Sequence, residues 1–409
     1  PLIAFSIYFV MSHTAPMYSH IQHILDEVSL ITRENLSGVR VIRAFNQQDN
    51  EQKRFESTTT KQKEEQIIAG NLSAVLNPAT TIIVNFGIIA ILYISGFKIN
   101  AGSMTQGEVI SLINYMNQIL LSMYVFANVI VILNKASASY KRCADVLSQK
   151  PDIVQGINEA PSDYQNLITY DHVSFSYYSG NALTDVSFNI LPGQTIGVIG
   201  GTGSGKTTLI NLIPRFYDVT EGEIRIKDLP IKSYKFKDLR NMIGIVPQQA
   251  TLFGGTIREN MQWGHPHATD EEIYEALELS QSKEFVDKMT EGLDTYIEQG
   301  GKNVSGGQRQ RLTIARALVK KPEILILDDS ASALDFATDA KLRKALSTLN
   351  MTVIIVSQRV SALMHADSIV VLSHGEVVGQ GTHDMLMNTC DVYQEIVMSQ
   401  MEGGQNNEE

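Results

Sequence analysis

The sequence has 409 residues and a formal net charge of −11 at pH 7, and this length predicts two domains, because it exceeds one ordinary hydrophobic core. The charge is uneven: residues 1–150 contain 12 Lys/Arg and 10 Asp/Glu, whereas residues 151–409 contain 21 and 34. The acidic second part gives no support to a nucleic-acid partner. The only cysteines, Cys143 and Cys390, exclude a disulfide framework and a cysteine metal site.

The first ten residues and the polar segment after them predict long helices. Pro1 to Val10 begins without Met inside an apolar run, which we interpret as the cytoplasmic end of a membrane helix cut from a longer protein. Residues 19–68 are polar, with a helical pattern and without Gly or Pro clusters apart from Gly38. We expect this segment to form helices that project into the cytoplasm.

Two charge-free stretches predict membrane-spanning helices. Leu72 to Phe97 and Ile110 to Asn134 contain no Asp, Glu, Lys or Arg, and crossing a bilayer requires about 20 mostly apolar residues. Lys and Arg are frequent on both outer flanks, whereas the connector at 98–109 has only Lys98 and Glu108 as charged residues. The positive-inside rule therefore predicts a multi-pass protein of the cell membrane, with both flanks in the cytoplasm.

A change in composition marks the expected domain boundary. Turn-forming and acidic residues become frequent around Pro151, Gly156 and Pro161. We therefore expect a membrane domain at 1–150, a linker at 151–165 and a second, cytoplasmic domain at 166–409.

The second domain contains a phosphate-binding loop. Thr195 to Ile199 is a short apolar strand, and Gly200 to Thr207 fits the pattern G-x-x-x-x-G-K-[ST]. Such a loop turns backbone N–H groups toward phosphate oxygens, while its Lys reaches the terminal phosphates and its Thr hydroxyl binds Mg²⁺. The predicted ATP-binding residues are Gly200, Gly201, Thr202, Gly203, Ser204, Gly205, Lys206, Thr207 and Thr208.

A second apolar strand ends in a carboxylate. Ile324 to Leu327 precedes Asp328 about 120 residues after the loop, which is the arrangement of a Walker B strand whose Asp holds Mg²⁺.

A further segment resembles the signature motif of ABC ATPases. Val304 to Arg311 is similar to the LSGGQ sequence, with Val in place of Leu. The resemblance implies that Tyr177 stacks on adenine and that Gln248 is the catalytic and metal-contacting residue of the Q-loop, so the metal ligands would be Thr207, Gln248 and Asp328. It also implies that a partner's ATP contacts the signature residues Ser305, Gly306, Gly307 and Gln308, and it assigns the D-loop to Ser332, Ala333, Leu334 and Asp335.

The resemblance to ABC exporters extends over the first part. Residues 1–150 resemble the second half of a six-helix exporter subunit, and Asn35 to Phe45 is similar to the stretch that leads into a coupling helix. By this likeness Arg43 to Asn46 would dock on the partner's nucleotide-binding domain. The implied fold is multi-domain: a partial all-α transmembrane domain followed by an α/β P-loop ABC nucleotide-binding domain. The implied ligands are ATP and Mg²⁺.

Two positions depart from the family pattern. Asp329 stands where a catalytic Glu usually follows the Walker B Asp, and Gln358 stands where a His usually contacts the γ-phosphate. Asp is one methylene shorter than Glu, and Gln cannot carry the positive charge of an imidazolium. Both departures together resemble the degenerate subunit of bacterial heterodimeric multidrug exporters, in which one of two composite ATP sites hydrolyses poorly.

Several alternatives remain open at this stage. The partner is expected to be a second half-transporter, in a heterodimer rather than a homodimer. Aromatic and Met residues in the spans suit a small amphipathic substrate, but they also suit helix packing, so a lipid or peptide substrate stays possible. A soluble ABC ATPase is disfavoured by the two spans, and an ATP-binding membrane regulator without transport is the remaining alternative.

Overall fold

The computed structural model describes residues 2–177, 180–330 and 333–405. The chain divides into two compact units, Pro1–Gln149 and Lys150–Glu409. Part of the expected linker is hydrogen-bonded to the second unit, because Gly156 N–H donates to Tyr234 O at 2.9 Å and Asn158 N–H to Ser233 O at 2.9 Å. The linker bounds at 151–165 stay a prediction.

The first unit is helical, as predicted. Helix α1 packs along α3 and against α4, and α4 packs against α5. The helices are α1 (Leu2–Ser37), α2 (Val39–Ala44), α3 (Gln48–Ala74), α4 (Leu76–Asn100) and α5 (Gln106–Ser148).

The breaks between these helices have local causes. Gly38 separates α1 from α2, and its N–H bonds to Glu34 O at 2.7 Å. Asn46 follows α2 with a φ of 54°, a left-handed conformation that Asn tolerates better than most residues. The predicted span from Leu72 to Phe97 includes the junction of α3 and α4. The helix is interrupted there because Pro78 has no N–H that could donate to Ala74 O.

One helical stretch among the described residues, Gln48–Asn100, is long and apolar enough to cross a membrane, and only 6% of its most apolar window is buried. Exposed apolar faces of this length suit lipid or further helices. The second predicted span, Ile110 to Asn134, lies within α5. Its crossing of a membrane stays a prediction, since several side chains between residues 124 and 138 are outside those described.

The second unit is an α/β domain, as predicted, and the structure shows that it has two main sheets. Its strands are β1 (Ile168–Ser176), β2 (Asn181–Ile190), β3 (Thr195–Gly200), β4 (Glu221–Ile226), β5 (Leu229–Pro230), β6 (Ile243–Val246), β7 (Gly255–Thr256), β8 (Tyr296–Ile297), β9 (Ile324–Asp328), β10 (Thr352–Val356), β11 (Ser368–Ser373) and β12 (Glu376–Gly381).

The helices of the second unit pack against the sheets and against one another. They are α6 (Lys206–Leu212), α7 (Phe236–Asn241), α8 (Ile257–Gln262), α9 (Asp270–Leu279), α10 (Lys283–Asp287), α11 (Gly306–Val319), α12 (Phe336–Leu346), α13 (His383–Thr389) and α14 (Asp391–Gln405), with short 3-10 helices at Ile231–Ser233, Gly292–Asp294 and Val360–Ala362.

The larger sheet has the order β12-β11-β3-β10-β9-β6, and its strands are parallel except for the antiparallel edge strand β12. The smaller sheet, β2-β1-β4-β5, is antiparallel, and β7 pairs with β8. Val356 of β10 is paired with Val198 of β3 on one side and with Asp328 of β9 on the other. The carboxyl ends of these three strands therefore meet at one edge.

Each central strand contributes to two hydrophobic cores. In β9, Ile324 and Ile326 pack in one core, whereas Leu325 and Leu327 pack in the other. A parallel sheet is buried on both faces, which requires a continuous apolar run rather than an alternating one. The run from Ile324 therefore forms a central strand with the predicted bounds.

An ion pair between the buried Arg215 and the partly exposed Asp218 holds the segment after α6. Arg215 is 3% exposed, and its Nε and Nη2 donate to the two carboxylate oxygens of Asp218 at 2.6 and 3.0 Å. Its Nη1 donates to Lys232 O at 3.2 Å. A buried guanidinium is tolerated only with such partners.

We predict that Asp218→Ala lowers the free energy of unfolding of the second unit by about 3 kcal/mol, because it leaves a buried charge without its partner. Glu284→Ala, which removes an exposed ion pair with Lys288, should cost less than about 1 kcal/mol. Denaturant unfolding of the detergent-solubilised protein, followed by Trp263 fluorescence, measures both. Equal losses would contradict the structural role of the Arg215 pair.

Candidate functional site

The phosphate-binding loop leaves β3 and enters α6 through glycines with left-handed backbones. Gly203 has a φ of 79° and Gly205 a φ of 100°. An added Cβ at Gly205 would lie 2.7 Å from Ala182 O, whereas at Gly201 or Gly203 it would meet open space. Gly205 therefore cannot be replaced without a clash, whereas no neighbouring atoms cover the backbone at Gly201 and Gly203.

Lys206 lies over this loop. Its Nζ donates to Gly200 O at 2.8 Å and to Gly201 O at 2.7 Å. Burial lowers the pKa of Lys206, while the nearby Asp328 and Asp329 carboxylates oppose that shift. A phosphate would give this ammonium a stronger, charged acceptor than a peptide carbonyl.

Thr207 and Asp328 meet at the base of the cleft. Thr207 Oγ1 donates to Asp328 Oδ2 at 3.3 Å. Asp328 is 5% exposed, and burial raises its pKa. The pairing of β9 with β10 and of β10 with β3 brings these two residues together across 121 positions of sequence.

The donor set at this point fits Mg²⁺. A hydroxyl and a carboxylate are hard oxygen ligands, and Mg²⁺ keeps waters and substrate phosphates, so one or two carboxylates suffice. No group of three or more His, Cys, Asp or Glu residues with metal-site geometry occurs in the part of the chain that the structure describes. Ser204 Oγ is buried and lacks a hydrogen-bond partner among the described residues, which suits a ligand oxygen at the loop.

These residues line one cleft of about 280 Å³. Gln248, which follows β6, and Gln358, which follows β10, also line this cleft. The lining residues are Ala182, Thr202, Gly203, Ser204, Gly205, Lys206, Thr207, Thr208, Gln248, Asp328, Asp329, Val356, Ser357 and Gln358.

Asp329 has an unusual backbone within this cleft. Its φ is 45°, and its N–H donates to Val356 O at 2.9 Å. Burial raises the pKa of Asp329, against the opposing effects of Arg359, Lys206 and the Gln248 side chain. The left-handed backbone suits Asp better than most non-glycine residues, and it fixes the direction in which the carboxylate leaves the chain.

Tyr177 lies at the end of β1 in an aromatic cluster that the sequence does not reveal. Its ring is edge-on to Phe175 and to Tyr217, with centroid distances of 4.8 and 5.3 Å. Its hydroxyl is 3.4 Å from Thr208 Oγ1. The ring is 44% exposed, so it is accessible to a base. Tyr217 lies 40 residues away in sequence, and no local pattern predicts that contact.

The signature segment begins α11. Ser305 Oγ accepts the N–H of Gln308 at 3.2 Å, and Gln308 Oε1 accepts the N–H of Ser305 at 2.9 Å. This reciprocal capping box fixes the amino terminus of a 14-residue helix. None of the four signature residues, Ser305, Gly306, Gly307 and Gln308, is among the residues that line the cleft.

The segment predicted as the D-loop precedes α12 and lies beside the predicted signature segment. An added Cβ at Gly307 would lie 3.2 Å from Ala333 O, and Leu334 is buried. Asp335 caps α12 by accepting the Thr338 N–H at 3.0 Å, and this bonding lowers the pKa of Asp335. Ser332, also predicted in this loop, lies outside the described residues.

Comparisons with known proteins agree with this geometry. A family model described as "ABC transporter transmembrane region" matches residues 1–123, and one described as "ABC transporter" matches residues 183–332. An "uncharacterized ABC transporter ATP-binding protein" of Bacillus subtilis is 38% identical over 403 residues, which cover 98% of this chain and 70% of that protein. A "probable multidrug resistance ABC transporter ATP-binding/permease protein" of the same organism is 33% identical over 399 residues, covering 97% and 68%.

A solved structure gives the same family. The chain resembles a bacterial Atm1-family ABC exporter with ATP bound, with a TM-score of 0.84 and 25% identity. The similarity covers 97% of this chain and 71% of that one.

We predict opposite effects of Asp328→Asn on stability and on binding. Because burial disfavours the ionised carboxylate, a neutral amide should raise the melting temperature without nucleotide, and this advantage should shrink as pH falls and the wild-type carboxyl becomes protonated. Loss of a metal ligand should weaken Mg²⁺-dependent ATP binding by about tenfold or more.

Thermal unfolding in EDTA and nucleotide titration measure these two effects. Asp335→Asn is the matched control, since the lowered pKa of Asp335 means that its ionised form is favoured, and neutralising it should lower the melting temperature. A melting temperature that falls equally in both variants would contradict our interpretation of Asp328.

Proposed function

Because this chain belongs to the ABC transporter family, as an exporter half-transporter with a transmembrane region and an ATP-binding domain, we propose that it couples ATP binding and hydrolysis at a dimer interface to export of amphipathic compounds. We further propose that its own ATP site hydrolyses weakly. The nucleotide-binding domain then lies in the cytoplasm, and the helical unit crosses the cell membrane several times.

The composition of the cleft is the observation that carries this proposal. Lys206, Thr207 and Asp328 face one space together with Gln248 and Gln358, whereas the signature residues lie elsewhere. Because the signature residues of this chain lie outside the cleft, we infer that the cleft is half of a composite site. The other half is then supplied by the signature helix of a partner, and α11 of this chain completes the partner's site.

In this proposal the residues of the cleft, together with Tyr177 and the start of α11, bind different parts of ATP. The backbone of Gly201 to Gly205, with Lys206, holds the phosphates, and Tyr177 supports the adenine. Thr207, Asp328 and Gln248 hold Mg²⁺, which supplies charge neutralisation at the phosphates when bound. The amino terminus of α11, held by the Ser305 capping box, presents its N–H groups and its dipole to the γ-phosphate of the partner's ATP.

Asp329 is one of two reasons to propose weak hydrolysis. A catalytic base must be within hydrogen-bonding reach of the attacking water, and displacements of about 1 Å reduce rates strongly. Asp is one methylene shorter than Glu, and the backbone of Asp329 is fixed by its bond to Val356 O. This bond and the left-handed φ of Asp329 disfavour a main-chain shift that would compensate for the shorter side chain.

Gln358 is the second reason. Its amide can donate to a γ-phosphate oxygen, but it brings no positive charge to the transition state. Charge stabilisation at the transferred phosphoryl group is a large part of catalysis in such reactions. Binding is therefore retained while turnover is reduced.

A weak site has a use in a transport cycle. ATP that persists there stabilises the closed dimer, because it binds the closed state more tightly than the open one. Turnover at the other site, built from the partner's Walker residues and this chain's signature, then drives reopening. The segment Arg43 to Asn46, at the end of α2, docks on the partner's nucleotide-binding domain and transmits the movement.

The proposed substrate class rests on the helices. Aromatic side chains of α4 and α5, including Phe86, Tyr93, Tyr115 and Phe126, are largely exposed in the described unit. Such faces suit an amphipathic drug or a lipid, and a relative carries a multidrug resistance name. The alternative of a peptide substrate requires the same ATP site and the same two-domain arrangement. The substitutions at 329 and 358 also suit a membrane regulator that binds ATP without transport, and uptake of substrate into inverted vesicles separates the two.

We predict that Asp329→Glu combined with Gln358→His converts the weak site into a hydrolytic one. In the assembled full-length transporter, ATP retained at this site should be hydrolysed about tenfold faster or more, since a positioned general base contributes 10²- to 10⁴-fold. Single-turnover analysis of the retained nucleotide measures the rate.

Asp163→Glu with Gln380→His makes the same chemical changes at exposed positions outside the cleft. This control should leave the rate at which the retained ATP is hydrolysed unchanged. If the double variant at 329 and 358 kept its ATP as long as the unmodified transporter, the assignment of a weak site would be wrong.

A further inference from the structure

The loop that carries Gln358 is short and connects β10 to the 3-10 helix Val360–Ala362. We call residues 357–360 the Gln358 loop. Its backbone is held by three bonds from within the domain: Ser357 N–H donates to Val198 O at 3.2 Å, Arg359 N–H donates to Ser357 Oγ at 3.0 Å, and Val360 N–H donates to Gln400 Oε1 at 2.9 Å.

Gln400 makes a second bond to the same loop. Its Nε2 donates to Gln358 O at 2.6 Å. One side-chain amide therefore satisfies the carbonyl of Gln358 and the N–H of Val360, which lie on either side of Arg359. A primary amide has a donor and an acceptor in fixed relation, so the two bonds together restrict the backbone torsions of Arg359 and hold the carbonyl of Gln358 in place.

Helix α14 gives this amide a firm base. Tyr393 and Val397 of the same helix are buried, and the Tyr393 hydroxyl is 2.8 Å from His383 Nδ1 of α13. Gln400 lies on the next turn after Val397 and about two turns after Tyr393, so the buried face of the helix extends toward the Gln358 loop. The amide is exposed, and its position depends on this anchoring rather than on enclosure.

We propose that Gln400 is a positioning residue for the γ-phosphate contact of Gln358, and that through it the carboxy-terminal helix sets how strongly this ATP site distinguishes ATP from ADP. The inference rests on the proposed function, since it requires that Gln358 faces the γ-phosphate. We call the two bonds from Gln400 to the Gln358 loop the Gln400 clamp. This clamp acts only on a group that contacts the γ-phosphate. Its loss therefore weakens binding of a triphosphate and leaves binding of a diphosphate unchanged.

The experiment compares two Gln→Met variants of the same helix in the assembled full-length transporter. Gln400→Met keeps the side-chain length and removes both bonds to the loop. Gln394→Met is the matched control, because the Gln394 amide donates at 2.8 Å to Met387 O of α13 and not to the Gln358 loop. A third variant, Gln400→Glu, keeps the acceptor for Val360 N–H but replaces the donor to Gln358 O.

The readout is photolabelling of this subunit by 8-azido-ADP, competed with the non-hydrolysable AMP-PNP or with ADP. The azido group on the adenine ring labels residues near Tyr177, and gel separation of the subunits shows that the label is on this chain. We expect Gln400→Met to lower the preference for AMP-PNP over ADP about fivefold, as when the unrestrained loop holds Gln358 in its binding position about one fifth of the time, with ADP affinity unchanged. Gln400→Glu should lower the preference at least as much, because it places a carboxylate oxygen against the carbonyl. Gln394→Met should leave the preference within about twofold.

Two results would overturn the clamp. An unchanged preference in Gln400→Met, or an equal change in Gln394→Met, would show that Gln400 does not act on the γ-phosphate contact. Labelling of the unmodified subunit that neither nucleotide blocks and that Lys206→Ala does not reduce would overturn the proposed ATP site, and the clamp with it. Normal labelling with an unchanged preference overturns the clamp alone.

Discussion

The candidate site depends on the parallel pairing of three neighbouring strands. Val356 of β10 is paired with Val198 of β3 and with Asp328 of β9, so the segments that follow these strands leave the sheet at one edge. Lys206, Asp328 and Gln358 meet there although more than 150 residues separate the first from the last. A slip of one residue in the pairing of β9 with β10 would turn Asp328 toward the opposite face of the sheet and away from the cleft.

The same burial that fixes the strands is unfavourable to the charges of the site. Burial raises the pKa of Asp328 and lowers that of Lys206, so both charged forms are disfavoured relative to water. Residues that bind phosphate and metal commonly oppose the stability of the fold in this way. The domain offsets this cost in its two hydrophobic cores, and the charged groups are retained because the ligand requires them.

Local sequence predicted the elements whose cause is local. The apolar run from Ile324 to Asp328 forms a strand with the predicted bounds. The break between α1 and α2 at Gly38 was not predicted. The contacts of Tyr217 with Tyr177 and of Gln400 with the Gln358 loop were not predicted, because each joins residues 40 or more positions apart and neither follows a periodic pattern. The junction of α3 and α4 before Pro78 was missed, since the charge-free run continues across it.

The proposed division of labour between two unequal ATP sites is tested most directly by the mass of the intact transporter, purified in Mg-ATP from its native membrane. We expect a one-to-one complex with a second ABC half-transporter that has Glu and His at the positions of Asp329 and Gln358, and one unhydrolysed ATP retained after turnover. A homodimer that contains only this chain would place Asp329 and Gln358 in both sites and would contradict the account.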